Sequence, residues 1–264
     1  METGTDKIQA GIFGAVGWLV FNNAEKHNAL SLSMAEAARK VVEAYEADDT
    51  VRVIALRGNG GKAFVSGADI SEFKERRATA EASAEFERKS GAFFAAVRNA
   101  SKPTVAMIEG YCMGGGVGLA CACDLRVANQ SAVFAIPAGR LGIGYRPAMT
   151  RWVVDAVGPA NAKEILLTAR RYDSEEALRM GLIHRRIDDK ELPGFVESYT
   201  NAIADNAPLS LRAAKFIINE LSKGTGEADI GACEELARAC TGSEDFIEGR
   251  TAFMEKRKPE FKGR

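Results

Sequence analysis

The sequence predicts an α/β fold. Three observations predict it. Short apolar runs of strand length alternate with longer segments of helical period, glycine-rich turns stand at several junctions between them, and the tail is almost entirely helical.

Two β-like runs open the chain at residues 8–13 and 18–21, around Gly14 and Gly17. A polar turn at residues 22–28 follows. The first helix is expected to start near Ser33, which has capping-box spacing with Glu36. Met34, Ala37, Ala38, Val41, Val42 and Tyr45 then recur on one face. Residues 51–57 read as a buried strand running into the loop Gly58-Asn59-Gly60-Gly61-Lys62. A second helical region covers about residues 83–97, with Phe86, Phe93, Phe94 and Val97 as its stripe. Residues 103–108 read as a strand leading to the cluster Gly114-Gly115-Gly116, and residues 125–128 and 132–134 as two more. From Arg146 the pattern is mostly helical, with one brief strand near residues 183–187. Helices dominate from Asp205, and Ser243, followed by Glu244 and Asp245, reads as an N-cap.

Composition excludes several classes. Among 264 residues, 35 Lys and Arg face 36 Asp and Glu, a formal charge of −1, which argues against a basic nucleic-acid footprint and against an acidic tail. No uninterrupted apolar run approaches bilayer length, and the first residues lack the basic-then-apolar layout of a secretory signal. The expectation is a cytoplasmic protein with no membrane or nucleic-acid partner. Cys112, Cys121, Cys123, Cys233 and Cys240 are odd in number and form no CxxC pair, so buried reduced thiols are expected. With only His27 and His184, a zinc cluster or Ser-His-Asp triad has few candidates, and no metal is expected.

The common phosphate and nucleophile motifs fail. Gly61-Lys62 has Leu56 where a P-loop needs glycine and Ala63 where it needs Ser or Thr. A dinucleotide fingerprint around Gly116 and Gly118 ends on Cys121. No G-x-S-x-G elbow occurs. Two glycine-rich segments remain, Lys62 to Ile70 and Glu109 to Gly118, each between a strand and a helix. Taken singly, either reads as a tight turn with close packing. Together, two main-chain N–H groups converging on one carbonyl oxygen would form an oxyanion hole.

In this order KAFVSGADI and EGYCMGGGVGLACACDLRVA resemble the enoyl-CoA hydratase/isomerase, or crotonase, superfamily. The resemblance extends over nearly the whole chain. It takes in NNAEKHNAL, Phe134-Ala135-Ile136-Pro137, Leu141-Gly142-Ile143-Gly144, ALRMGLI and FMEKRKP. It implies a spiral of β-β-α units over residues 1–204, with a C-terminal helical region at 205–264 that packs between subunits of a homotrimer or hexamer. It implies an acyl-CoA thioester as substrate, in fatty-acid metabolism, with coenzyme A part of the substrate and no separate cofactor. The N–H groups of Ala68 and Gly115 would hold the thioester oxygen. CoA would lie along Lys26, Ala29, Leu30, Ser66 and Gly114, with Ala68, Asp69 and Ile70 near the adenine end; Lys256 would contact a phosphate, and Phe253 would pack by CoA, in many members from a neighbouring subunit. Asp69 reads more readily as the cap of the following helix than as a base.

The chain departs from the hydratase pattern at two places. The two glutamates of that pattern fall on Gly118 and Ala138. Neither can do general acid–base work, which typically contributes about 10²- to 10⁴-fold. Tyr145, with Arg140 and Arg146 in the same loop, resembles the arrangement in members that decarboxylate malonyl-type thioesters. There Tyr145 would orient the acyl group or supply a proton, and an arginine would hold a carboxylate. The plainer alternative is that Tyr145 packs in a pocket wall and both arginines are surface charges. Three functions stay open: an enoyl-CoA hydratase or isomerase, a decarboxylase using Tyr145, and a non-catalytic acyl-CoA-binding oligomer.

Overall fold

The computed structural model describes residues 3–69, 80–224 and 226–264. Strands β1 (Ile8–Phe13) and β2 (Val16–Phe21) form a hairpin, and helix α1 (Leu32–Ala47) follows. Three turns of strand, strand, helix come next. The first is β3 (Val53–Gly58), β4 (Ala63–Val65) and α2 (Ala80–Asn99). The second is β5 (Thr104–Ile108), β6 (Tyr111–Met113) and α3 (Gly115–Ala122). The third is β7 (Leu125–Asn129), β8 (Val133–Ala135) and α4 (Pro147–Thr168). Then come β9 (Tyr172–Asp173), α5 (Ser174–Met180), β10 (Arg185–Ile187), α6 (Leu192–Ala204), α7 (Pro208–Leu221), α8 (Ile230–Thr241) and α9 (Glu244–Glu255).

Each turn gives its first strand to one sheet and its second to another. The larger sheet runs β1-β2-β3-β5-β7-β10, the smaller β4-β6-β8-β9. Pairing is parallel from β2 to β10 and from β4 to β8. The chain is therefore a spiral of β-β-α units. The spiral also explains the site. The C-terminal ends of β4, β6 and β8 lie side by side, so the segments that follow them share one edge.

The central strands β3 and β5 of the larger sheet are buried on both faces, which is why they read as apolar runs. Ile54 and Leu56 join the main core with Phe21, Phe64 and Phe93, while Val53 and Ala55 face the other way with Leu192 and Val196 of α6. Phe21 packs edge-on against Phe64 at 5.7 Å and against Phe93 at 6.2 Å.

Local expectations need adjustment in three places. The cap of α1 is Ser31, whose Oγ accepts from Met34 N at 3.2 Å, and the Ser33 hydroxyl shares a hydrogen bond with Ser31 Oγ at 3.0 Å. The strands at β4 and β6 lie inside the two glycine-rich segments. Each has three residues, too few to show a period. The second helix extends from Ala80 to Asn99. Its Phe86 side chain lies outside those described. Ser243 caps α9 as expected, accepting from Phe246 N at 3.1 Å.

Candidate active site

The segment after β4 is pinned to the chain ahead of α1. Leu30 N donates to Gly67 O at 2.8 Å and Asp69 N donates to Leu30 O at 2.9 Å, forming a parallel bridge between Leu30 and Ala68. In such a bridge the middle residue directs its own N–H away from the partner. Ala68 N–H therefore points from Leu30 toward the segment after β6. Asn28 braces this arrangement. It is buried, its Nδ2 donates to Ala63 O at 2.7 Å and Asn59 O at 3.0 Å, and its Oδ1 accepts from Asn23 N.

After β6 the chain turns sharply at Gly114, whose φ of 52° and ψ of −111° suit glycine alone. Gly114 N donates to Ala135 O at 2.8 Å. Gly115 opens α3, so its N–H is one of the helix donors without an intrahelical acceptor. The two amides are neighbours: a Cβ on Gly115 would lie 4.0 Å from Ala68 N, 3.9 Å from Gly67 Cα and 3.9 Å from Phe94 Cζ. Among the described residues, neither N–H donates to a protein acceptor.

Ala68 and Gly115 both line a cavity of about 240 Å³. Leu30, Ala35, Phe94, Ile136, Ala138, Leu141, Ile143 and Met149 give it apolar walls. Position 138 is in this wall and position 118 lies behind it, and neither carries a carboxylate. Ala138 lines the cavity directly. Gly118 is packed under Tyr145 and Met149: a Cβ there would overlap Met149 Cε and approach Tyr145 Oη to 2.8 Å. Tyr145 Oη donates to Gly114 O at 2.9 Å. Burial pushes its pKa well above the ordinary tyrosine value, so it stays protonated.

The remaining expected residues are placed as follows. Lys26 Nζ forms an ion pair with the buried carboxylate of Asp69, the residue after Ala68, at 2.8 Å. Ser66 lines the cavity, and its Oγ donates to Lys26 O at 3.3 Å. Leu30 and Gly114 also line it, whereas Ala29 sits just behind, its N donating to Lys26 O at 3.0 Å. The helix that Asp69 was expected to cap, and Ile70, fall outside the described residues. Arg140 is exposed and does not line the cavity. The arginine that does is Arg146, held to α2. Phe253 and Lys256, at the end of α9, do not line this chain's cavity either, and Phe253 is 83% exposed. Phe94, Ile136 and Met149 were not assigned to the site from sequence; Phe94 appeared there only in the helical stripe and Ile136 only in the block from Phe134 to Pro137.

The cysteines of this region are buried, and burial raises the Cys112, Cys121 and Cys123 thiols, which makes them poor nucleophiles. Among the described residues, no group of three His, Cys, Asp or Glu is placed to hold a metal, and no helix is long and apolar enough to cross a membrane.

Residues 11–264 match the enoyl-CoA hydratase/isomerase family. The chain belongs to that family. It is 33% identical to a short-chain-enoyl-CoA hydratase of Clostridium acetobutylicum, over 95% of this chain and 96% of that one. It is 32% identical to a carnitinyl-CoA dehydratase of Proteus mirabilis, over 90% and 92%. An enoyl-CoA hydratase/carnithine racemase from Magnetospirillum magneticum superposes with a TM-score of 0.94 at 34% identity, over 98% and 97% of the two chains. Membership makes the chain an acyl-CoA enzyme of the enoyl-CoA hydratase/isomerase family and its spiral the crotonase fold.

Proposed function

We propose that this enzyme binds the thioester of an acyl-CoA with its carbonyl oxygen between the N–H groups of Ala68 and Gly115, and works through the enolate that they stabilise. One observation supports this above all. Two amides without protein acceptors stand side by side at the edge of one apolar cavity. Negative charge gathers on the thioester oxygen when the α-carbon gains or loses a proton or a carboxyl group. Two fixed donors in a mostly apolar cavity stabilise that charge with no reorganisation, and one such donor is worth about 3 kcal/mol of barrier. CoA is part of the substrate in this reading, and the Lys26–Asp69 ion pair adjoins the segment that carries Ala68. Assembly into homotrimers or hexamers belongs to this reading, with Phe253 packing by a neighbour's CoA and Lys256 contacting a CoA phosphate. Sedimentation tests it.

The hydratase names of the relatives favour hydration or its reverse. The packing around Gly118 favours a second reaction. The space for a carboxylate there is taken by Tyr145 and Met149, and residue 138 is alanine. Decarboxylation of a malonyl-type acyl-CoA needs no such carboxylate. The bond from the α-carbon to the carboxyl breaks, CO₂ leaves, and the electron pair passes into the enolate. A proton then returns to the α-carbon, and the protonated Tyr145 hydroxyl at the wall is a source. Product mass analysis with crotonyl-CoA, longer enoyl-CoAs, methylmalonyl-CoA and ethylmalonyl-CoA separates the readings. Hydrated product supports the first and CO₂ release the second. Tight binding with no turnover on any of them makes the chain a non-catalytic acyl-CoA-binding oligomer.

A further inference from the structure

Gly114 O and Gly115 N–H belong to one peptide unit. That peptide bond is trans, so its carbonyl and its N–H point in opposite directions. The N–H is the front of the unit and takes part in the proposed oxyanion hole. The back is Gly114 O, to which Tyr145 Oη donates at 2.9 Å. Gly118 N donates to the same oxygen at 3.3 Å.

The hydroxyl reaches this carbonyl because residue 118 is glycine. A Cβ there would lie 2.8 Å from Tyr145 Oη. The residue that departs from the hydratase pattern is thus the one that admits the hydroxyl. Gly114 itself restrains the peptide little. Its φ of 52° and ψ of −111° lie where only glycine is at ease, and rotation about that ψ turns the plane that carries Gly115 N–H. A hydrogen bond at Gly114 O holds the plane. It also draws electron density toward the carbonyl oxygen and leaves the N–H a stronger donor. Hydrogen bonds linked in this way strengthen one another by roughly 10–30%.

We propose that Tyr145 is a positioning residue for the oxyanion hole, which aims and polarises Gly115 N–H from behind through the peptide they share. This deepens the acyl-CoA reading above and rests on it. The role is the same for hydration and for decarboxylation, since both gather charge on the thioester oxygen. Where CO₂ leaves, the bond to Gly114 O is in place while the enolate forms, before Tyr145 gives up any proton. One oxyanion donor carries about 10²- to 10³-fold, so a strengthening of 10–30% amounts to roughly two- to eight-fold.

Acetoacetyl-CoA bound to the full chain tests this. A second carbonyl beside its thioester lets the α-carbon lose a proton reversibly, and the resulting enolate absorbs in the near ultraviolet. Absorbance of the complex is followed against pH. Burial keeps the Tyr145 hydroxyl protonated across the titration. The parent is expected to hold the enolate at a lower pH than water does. Tyr145→Phe, its fold checked by melting, is expected to raise that apparent pKa by about 0.5, a three-fold weaker hold on the enolate. Its Kd for saturated butyryl-CoA should change by less than about two-fold. Tyr145→3-fluorotyrosine keeps the ring and makes the hydroxyl a stronger donor, so it should move the apparent pKa down and serves where Tyr145→Phe does not fold. Tyr145→Phe titrating with the parent, or Tyr145→3-fluorotyrosine titrating with or above it, would overturn the inference alone. A parent that fails to bind acetoacetyl-CoA, or that titrates it as water does, would overturn it together with the acyl-CoA reading.

Discussion

Tyr145 Oη occupies the space that a side chain at residue 118 would need, 2.8 Å from the Cβ that Gly118 lacks, and its proton is directed to Gly114 O. Gly118, Tyr145 and Met149 are thus one packing unit beneath the loop that presents Gly115. Gly118→Ala should destabilise the fold by about 1–3 kcal/mol, as overpacking does in well-filled cores. Calorimetric melting checks this. Combined with Met149→Ala, the loss should be smaller than the sum of the two single losses, because the shortened side chain releases the overlap. Gly118→Glu is expected to melt earlier still and to gain no hydration of crotonyl-CoA.

Tyr145→Phe removes the hydroxyl but keeps the ring. Stability should fall by only about 0.5–1.5 kcal/mol, since Gly114 O still accepts from Gly118 N. Where the reaction is decarboxylation, turnover should fall on the order of 10²-fold with little change in KM. The phenol stays protonated, so the parent rate should hold steady as the pH approaches the ordinary tyrosine value of 10.0. An unchanged rate in the variant would leave Tyr145 a packing role only.

Gly115→Ala separates folding from function. The new methyl would meet protein only at ordinary contact distances of 3.9–4.0 Å. Melting should therefore change by no more than about 0.5 kcal/mol. The methyl would nonetheless crowd an oxygen lying between the two amides. Steady-state kinetics on whichever thioester is turned over should show a loss on the order of 10²-fold.

His184 gives a pH dependence remote from the site. Its Nδ1 accepts from Arg126 N at 3.1 Å. Burial, then the Arg126 charge, holds its pKa below the ordinary 6.5. The unfolded chain therefore binds this proton first as the pH falls. The histidine's contribution is complete above 6.5 and is lost as the pH drops through the lower folded value. Urea midpoints measured across that range should decline less steeply in His184→Gln than in the parent. A steeper decline in the variant would contradict the assignment.

The spiral was legible wherever a strand is buried on both faces. β3 and β5 announce themselves as continuous apolar runs because α6 covers the side that the main core leaves open. β4 and β6 were hidden inside segments whose glycines read as turns, and they are the strands that lead to Ala68 and Gly115. Ser31 and Ser33 both had the chemistry of a cap. The burial of Leu32 and Met34 decided between them. Arg140 and Arg146 were equivalent in sequence, six residues apart on one loop, until Ser90 and Glu87 O fixed the second in the wall. The absence of both glutamates was plain from the sequence. What fills the space was not, since Gly118, Tyr145 and Met149 meet only through the packing of α3 against α4.

The central claim concerns one oxygen atom between two amides. Infrared difference spectroscopy of a bound saturated acyl-CoA, ¹³C-labelled at the thioester carbon, reads that oxygen directly. The account predicts a carbonyl stretch shifted to lower frequency than in water, and a shift that largely disappears in folded Gly115→Ala. A bound thioester whose carbonyl band matches that in water, in parent and variant alike, would contradict it.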